Sequence, residues 1–213
     1  MTRGRVLETA VRLADESGIE SLSMRKLARE LGVEAMSLYN HVASKADMVD
    51  GIVDLVVGEI ELPEDGEWDD AIKRCALSAH EAFLRHPWAC SLVIRPSGTG
   101  TMPAPRLGYM DWLLGRLGQA GFAPELTYHA YHVLDAHVVG FTLWELGHLA
   151  MAQGALEGND PETFMAALVA TLREEYPHVA GHAAQHLSPP PGKGGFEFGL
   201  DLILDGLKRA LNG

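Results

Sequence analysis

The residues whose types and spacing best suit contact with a ligand lie in one short stretch, residues 35–41. Asn40 can form two hydrogen bonds to adenine, and the methyl group of Met36 can contact the methyl group of thymine. The hydroxyl groups of Ser37 and Tyr39 can bind phosphate oxygens. Side chains of these types on one short helix predict contacts to the bases and the backbone of DNA.

Two basic side chains flank this stretch. Arg25 can bind guanine O6 and N7 through its guanidinium group. Lys45 is placed at the start of a helix, where its charge and the free backbone N–H groups favour a bound phosphate. Similar spacing also occurs in small helical bundles whose charged side chains are solvated and whose Tyr39 would be partly buried. From the residues alone, such a bundle remains the alternative to DNA binding.

The candidate contact residues need two short helices joined by a tight turn. Ser23 can accept a backbone N–H bond as an N-cap, and Leu22 can pack on Leu27 across the first turn. Gly32 fits a left-handed C-cap, and the next helix begins near Ala35. This pair matches the helix-turn-helix, in which the second helix enters the major groove of DNA.

The neighbouring helices also have clear boundaries. A left-handed C-cap is expected at Gly18, and Ser44 with Asp47 predicts the start of a longer helix that reaches about Glu61. Residues 63–67 then break the helical pattern. An N-terminal segment of this size is too small to form a good core alone, so we expect it to pack against this fourth helix.

The rest of the chain also has helical spacing, without the sustained two-residue alternation of strands. We therefore expect an all-α protein, with a three-helix helix-turn-helix domain over 1–46 and a larger helical domain over 47–213. Two loops rich in Pro and Gly, 95–106 and 188–195, are expected to be mobile or functional. The helices of the larger domain are predicted at about 67–86, 106–120, 125–152, 161–176 and 195–211.

The charge distribution argues against DNA binding at first sight, because proteins that bind nucleic acids usually carry a basic surface. The net charge is −12. Residues 1–50 hold seven basic and eight acidic side chains, which leaves −11 for the remainder. Residues 22–45 hold four basic and two acidic side chains. The basic patch is therefore local, and we expect few phosphate contacts per monomer.

Composition and motifs argue against several other classes of protein. Cys75 and Cys90 have no CxxC spacing, so we expect small buried side chains rather than disulfide or zinc ligands. The chain has no glycine-rich phosphate loop, no HExxH and no GxSxG motif, so catalysis is not expected. The N-terminus has no apolar run of signal-peptide length, and the most apolar stretch, 134–151, contains charged residues. A cytoplasmic protein that does not enter the membrane is expected.

The segment 18–45 resembles the N-terminal signature of TetR-family transcriptional regulators. Its most specific elements are Leu27-Ala28, Leu31-Gly32-Val33, Leu38-Tyr39, His41-Val42 and Lys45. The resemblance implies that ten residues contact operator DNA. They are Ser23, Met24, Arg25, Ala35, Met36, Ser37, Tyr39, Asn40, His41 and Lys45.

Two later segments, 140–143 and 196–207, resemble the sensor domain of tetracycline-repressor-type proteins. The resemblance implies a homodimeric repressor that binds a palindromic double-stranded operator. It also implies a small-molecule effector whose binding releases the DNA. The domain over 47–213 is then expected to bind the effector and to form the dimer.

Glycine spacing supports close helix packing in this half of the chain. Gly140 and Gly147 are seven residues apart, and Gly199 and Gly206 have the same spacing near the C-terminus. A glycine inside a helix is less favourable than alanine by about 1 kcal/mol, which suggests that another helix approaches closely. Either the partner subunit or the same chain can supply that helix. The residues expected at the dimer interface are Gly140, Gly147, Gly199, Ile203, Gly206 and Leu207.

An effector pocket is expected from aromatic and apolar residues at helical spacing, although the same spacing is typical of an ordinary core. Its candidate residues are Glu61, Trp88, Ser91, Tyr109, Met110, Leu113, Phe141, Trp144 and His148. By approximate alignment, Glu61 and Ser91 stand where tetracycline repressors have metal-binding histidines. We therefore expect a bulky, largely apolar effector that binds without magnesium or another cofactor.

Three histidines, His178, His182 and His186, follow at intervals of four, which would place neutral imidazole groups on one helical face. Proline residues bracket the segment, and no carboxylate is interleaved. A solvated helix or loop is expected here, with a metal site as the alternative. A metal-responsive regulator is thus one alternative function, and a small-molecule-binding helical protein without DNA binding is the other.

Overall fold

All regular secondary structure in the described part of the protein is helical. A computed structural model describes residues 1–95, 97, 104–155, 160–185 and 194–212. These residues form eleven α-helices and one 3₁₀ turn, with no strand among them, which confirms the all-α fold. The helices are α1 (Arg3–Ser17), α2 (Met24–Leu31), α3 (Ala35–Leu38), α4 (Lys45–Val57), α5 (Trp68–Arg85), α6 (Pro87–Val93), α7 (Ala104–Gln119), α8 (Pro124–Ala155), α9 (Pro161–Leu172), α10 (Pro177–Gln185) and α11 (Gly195–Asn212).

Local capping sets both ends of α2 and the start of α4, as predicted, whereas α4 ends at Val57 rather than near Glu61. The Ser23 hydroxyl accepts a hydrogen bond from the Lys26 N–H at 3.2 Å. The Ser44 hydroxyl accepts one from the Asp47 N–H at 3.0 Å. Gly32 ends α2 in the left-handed region, with φ of 68° and ψ of 33°. These caps satisfy backbone groups that the helices leave free, so the sequence specifies the boundaries locally.

Gly18 departs from the left-handed C-cap expected there. Its φ of 76° is positive but its ψ is 150°, so the chain leaves α1 in an extended direction and forms the 3₁₀ turn Ile19–Ser21. The positive φ still favours glycine. The third helix is also shorter than expected, because α3 ends at Leu38 and turns continue the chain to His41.

The first four helices share a group of apolar side chains that are almost completely buried. Its members include Val6, Leu27, Leu38, Val42 and Ile52. Helix α1 lies directly against α4, where a Cβ atom at Gly51 would lie 2.9 Å from the methyl groups of Leu7. This close approach confirms that the N-terminal helices pack against the fourth helix.

The helices of the second half of the chain pack around α8, which contacts α5, α6, α7 and α11. The five helices predicted in this half are present, with ends shifted by a few residues. Helices α6 and α10 were not predicted; both are short and begin at a proline, which fits the first turn of a helix. Helices α9 and α10 pack mainly on each other. The two predicted loops, 95–106 and 188–195, lie largely outside the described residues.

Helix α4 belongs to both parts of the molecule, because it contacts α1 on one side and α5, α6 and α7 on the other. One continuous core therefore runs through α1–α8 and α11, while α9 and α10 form a separate small cluster. Cys75 and Cys90 are buried free thiols in this core, as predicted. Burial raises the pKa of each thiol to about 12, so both stay protonated and unreactive at neutral pH.

Candidate DNA-binding and effector sites

We call residues 35–42, which comprise α3 and the turns after it, the α3 segment. Its outer face carries the side chains predicted to contact DNA bases. Leu38 and Val42 are buried and hold the segment on the core, whereas Met36 is 76% exposed and Tyr39 is 48% exposed. Asn40 is exposed as well. All ten residues predicted to contact the operator are exposed or half-buried. Each of them therefore has surface available to a ligand.

Arg3 fixes the position of this segment, a role that the sequence did not reveal. Its guanidinium group donates to the His41 carbonyl oxygen at 2.9 Å and to both carboxylate oxygens of Asp47 at 2.8 and 3.0 Å. Asp47 also accepts from the Ala43 N–H at 2.7 Å. The Arg3 hydrogen bond holds the pKa of Asp47 below its ordinary value. The start of α1, the end of the α3 segment and the start of α4 are thereby joined.

Two cationic side chains stay available beside this face. Arg25 and Lys45 are exposed, and neither is held in an ion pair within the described residues. Arg12 differs, because Glu16 and Glu30 engage its guanidinium group. Arg25 of α2 and Lys45 of α4 can therefore bind phosphate groups, although the chain is acidic overall.

A cavity of about 540 Å³ lies among α4, α5, α6, α7 and α8. Cavities of this size hold small organic ligands. Tyr109 and Met110 are the residues of the predicted effector set that line it. The apolar wall residues are Val57, Ile60, Ala79, Phe83, Val93, Ile94, Met110, Val138 and Val139. The wall residues with polar groups are Arg95, Ser97, Arg106, Tyr109, Tyr131 and Asp135.

A carboxyl group and two phenols form one polar patch of the cavity wall. The Tyr109 hydroxyl lies close enough to the Asp135 carboxyl group for each to shift the pKa of the other. Burial raises the pKa of Asp135, while His132 and Tyr109 act in the opposite direction. Burial also raises the pKa of Tyr109 and of Tyr131. Both phenols are therefore neutral hydrogen-bond donors at neutral pH.

Arg106 ties the cavity wall to α4. Its Nε donates to an Asp54 oxygen at 2.9 Å, and its Nη2 lies 3.7 Å from an Asp50 oxygen. The Ser97 hydroxyl donates to Asp50 at 2.7 Å. Burial raises the pKa of Asp54, while Arg106 acts against that shift. Helix α4, which packs on α1, is thus bonded to residues that line the cavity.

Four residues of the predicted effector set lie away from the cavity wall. Trp88 is buried, and its indole Nε1 donates to Asp15 of α1 at 2.7 Å. The Ser91 hydroxyl donates to the Trp88 carbonyl oxygen at 3.3 Å, and Leu113 is part of the core. Glu61 is exposed. Glu61 and Ser91 therefore do not meet at the cavity, and they offer no paired ligands for a magnesium–effector complex there.

The other three residues of that set lie on α8 outside the cavity wall. Phe141 packs edge-on against Phe196, with ring centroids 5.7 Å apart. Trp144 is 52% exposed, and the centroid of its ring lies 4.1 Å from that of His148. The effector set predicted from the sequence therefore divides between the cavity, the core and the surface.

A buried histidine joins α5, α8 and α11 beside these aromatic rings. The His80 ring stacks on Phe196 with centroids 4.0 Å apart. The Thr142 hydroxyl donates to the Val138 carbonyl oxygen at 2.6 Å, so it accepts from His80 Nδ1–H at 2.8 Å. Burial lowers the pKa of His80, while Glu145 opposes the shift. The neutral imidazole is thus held as part of the core.

The residues predicted for the dimer interface face different ways. Leu207 is buried in the core of its own chain. A Cβ atom at Gly199 would lie 2.6 Å from the His137 ring, so this glycine admits a neighbour from the same chain. Gly140 and Gly147 are exposed, and no described atom would lie within 4 Å of a Cβ atom there.

The outer sides of α8 and α11, two helices in contact, leave large apolar side chains on the surface. We call this surface the α8–α11 face. Ile203 and Gly206, from the predicted interface, are half-buried at its edge. Its members are Val133, Gly140, Trp144, Gly147, Phe198 and Leu202.

The histidine row does not support a metal-responsive protein. His178 and His182 are exposed on α10, and His186 lies outside the described residues. Among the residues that the structure describes, no group of three His, Cys, Asp or Glu side chains is arranged to hold a metal ion. None of the described helices is long and apolar enough to cross a membrane.

Comparison with protein families identifies both parts of the chain. Residues 6–52 match the family described as bacterial regulatory proteins, tetR family. Residues 62–211 match the tetracyclin repressor-like C-terminal domain. These two matches together span most of the chain and confirm the resemblance noted in the sequence.

Individual relatives agree with these family matches. The HTH-type transcriptional repressor DrrR1 of Streptomyces coeruleorubidus is 34% identical over 217 residues, which cover 98% of this chain and 77% of DrrR1. The solved structure of ActR from Streptomyces coelicolor in complex with actinorhodin has a TM-score of 0.75 and 26% identity, covering 100% of this chain and 99% of ActR. A possible TetR family transcriptional regulator from Streptomyces coelicolor A3(2) has a TM-score of 0.74 and 31% identity, covering 98% of this chain and 99% of the other. This chain belongs to the TetR family of DNA-binding, ligand-responsive transcriptional regulators.

Proposed function

We propose that the protein is a homodimeric repressor that binds a palindromic operator through α2 and α3 and leaves it when a small, largely apolar effector occupies the cavity. It acts in the cytoplasm and has no catalytic activity. Residues 1–46 form its DNA-binding domain and residues 47–213 its effector-binding and dimerisation domain. The observation that carries the proposal is the bond from Arg106 in the cavity wall to Asp54 of α4.

The DNA interface consists of the ten exposed or half-buried residues of the helix-turn-helix. Met36 and Asn40 lie on the outer face of the α3 segment and contact base edges in the major groove. Arg25 binds guanine, and Lys45 binds a phosphate beside the N-terminus of α4. Because Arg3 bonds to the backbone at His41, the segment is held in place before DNA binds.

The α8–α11 face is the proposed dimer interface. Trp144, Phe198 and Leu202 are each more than half exposed, and apolar surface of this kind gains free energy when a partner covers it. Gly140 and Gly147 leave space for close approach of a partner helix. A two-fold dimer then presents two recognition segments about 34–36 Å apart, which matches one turn of DNA.

The effector acts through α4. The similar protein ActR was solved in complex with a small molecule, actinorhodin, and the present cavity has the volume for such a ligand. An occupant of the cavity displaces Arg106 or redirects its bonds to Asp54 and Asp50. Because α4 packs on α1, the DNA-binding helices move with it, and the spacing of the two recognition segments no longer fits the operator.

Selection of binding sites from random duplex DNA, followed by footprinting, tests the proposal. We expect a protected pseudo-palindrome of about 15–20 base pairs. Arg25→Ala should relax specificity at one base pair and weaken binding by about 1–3 kcal/mol. Lys45→Ala should weaken binding to all DNA sequences by a similar amount. Arg12→Ala is the matched control, because Glu16 and Glu30 already engage that side chain. Binding without sequence preference at every salt concentration would contradict the proposal.

A further inference from the structure

Asp135 is the one carboxyl group among the cavity wall residues that the structure describes. Within that part of the chain it forms no ion pair, and the groups that act on its pKa are the exposed His132 and the neutral Tyr109 hydroxyl. Burial raises the pKa of Asp135, because removal from water disfavours the charged carboxylate. A positive charge brought into the cavity would compensate for that loss of solvation.

The two tyrosines beside Asp135 favour the same kind of ligand. Tyr109 and Tyr131 both line the cavity, and the faces of aromatic rings attract cations that lie within about 6 Å. The remaining wall is mostly apolar, with side chains such as Phe83 and Val138. Such a wall suits the hydrophobic body of a ligand rather than a small hydrated ion.

The basic residues of the wall do not reverse this preference. Asp54 and Asp50 already engage Arg106. Arg95 is exposed, so water and salt screen its charge. A ligand anion would have to compete with two carboxylates for Arg106 or bind at the exposed rim. A ligand cation meets a carboxyl group that forms no ion pair within the described residues and whose basic neighbour, His132, is exposed to solvent.

We infer, building on the proposed function, that the effector is a lipophilic cation whose positive group lies against Asp135 and the rings of Tyr109 and Tyr131. Its apolar body fills the rest of the cavity. Asp135 is then the residue that determines which effectors bind, because it distinguishes a cation from a neutral molecule of the same shape. The inference narrows the largely apolar effector expected from the sequence to molecules with one positive charge.

Three acridines of nearly the same shape separate the effect of charge from that of size. N-methylacridinium carries a fixed positive charge, acridine is neutral in mildly alkaline buffer, and acridinecarboxylate is negative. Their fluorescence reports binding to the full-length protein. We expect the cation to bind about tenfold or more tighter than acridine, and the carboxylate to bind most weakly. Equal binding of the three, tighter binding of the carboxylate, or no binding of the cation overturns the inference.

Substitutions then assign the preference to one side chain. Asp135→Asn keeps the shape of the side chain and removes its charge, so the variant should lose most of its preference for the cation and keep only what the tyrosine rings contribute. Unchanged acridine binding shows that the cavity of the variant is folded. Asp111→Asn is the matched control, because it removes the same charge from the exposed side of α7. A cation preference that is undiminished in Asp135→Asn overturns the inference.

Operator binding, measured on the same samples, separates this inference from the proposed function. If the protein binds an operator but shows no cation preference, the assignment of Asp135 is wrong and the repressor function stands. If the cation preference and its loss in Asp135→Asn are both observed but no operator binds, the repressor function is wrong and the assignment of Asp135 stands.

Discussion

The DNA-binding helices and the sensor helices differ in which side chains they bury and which they expose. In α1–α4 the buried side chains are apolar, and the strongly exposed Met36 lies on the face proposed to contact DNA. In the sensor half, Asp135 lines the cavity and His80 is buried, while Trp144 and Leu202 stay on the surface. The exposed apolar side chains of the first part are thus proposed to meet DNA, and those of the second part a partner subunit.

The largest effect expected from this contrast is at the α8–α11 face. Leu202 is 56% exposed, so Leu202→Glu should leave the fold of the monomer intact while placing a charge in the proposed dimer interface. Loss of the dimer should weaken operator binding by about 10²- to 10⁴-fold, because the two half-sites are no longer bound together. Sedimentation and mobility-shift titrations measure both quantities.

Leu107→Glu provides the control for this variant, because Leu107 is a similarly exposed leucine on α7. It should remain dimeric and bind the operator normally. A Leu202→Glu protein that stays dimeric would show that the exposed apolar surface has another purpose.

In the DNA-binding half, substitution of an inward residue and of an outward residue should have different consequences. Leu38 is fully buried, so Leu38→Ala should lower the free energy of unfolding by about 2–5 kcal/mol. Met36 is exposed, so Met36→Ala should change the free energy of unfolding by no more than about 0.5 kcal/mol, while it should weaken operator binding. Urea unfolding and mobility shifts measure the two effects. Equal destabilisation by both substitutions would contradict the orientation of the α3 segment.

The link between the halves can be tested with a double-mutant cycle. Arg106→Met leaves Asp54 half-buried without its cation, which should lower the free energy of unfolding by about 1–3 kcal/mol. Adding Asp54→Asn should restore much of that loss, because both partners are then removed. The control cycle uses Arg74 and Asp65, an exposed pair that solvent screens. Additive effects in both cycles would mean that the Arg106 bond does not couple the cavity wall to α4.

The smallest predicted effect concerns pH and Asp47. Because Arg3 lowers the folded-state pKa of Asp47 below the ordinary 3.8, the pair stabilises the fold above that value. The contribution is lost as the pH falls through the lowered pKa. Since Arg3 is largely exposed, the stability difference between the native protein and Asp47→Asn should be below about 1 kcal/mol at neutral pH. Urea unfolding at decreasing pH should show the difference vanish, and a constant difference would contradict this account.

Features that depend on nearby residues could be predicted from the sequence. The caps at Ser23, Gly32 and Ser44 are correct because each depends on residues within a few positions along the chain. The left-handed cap predicted at Gly18 was only partly correct, because its φ is positive but its ψ of 150° leads the chain into the 3₁₀ turn Ile19–Ser21.

Features that depend on distant residues could not be predicted. The partners of Arg3 lie 38 and 44 residues away along the chain, and Arg106 and Asp54 are 52 residues apart. The glycine spacing of the last helix left open whether a partner subunit or the same chain packs there, and Leu207 faces the core of its own chain. Trp88 is an aromatic residue suited to a pocket, but the structure turns its indole towards Asp15. Helical spacing identifies which residues share a face, and packing alone decides what that face meets.

The contact between Trp88 and Asp15 gives the proposed effector response a second route. The sensor half bonds to α1 through Asp15 as well as to α4 through Asp54, beside a core that the two halves share. A displacement of the cavity wall therefore reaches α1 and α4 together. Because Arg3 on α1 also holds the chain at His41, both routes end at the residues proposed to contact DNA.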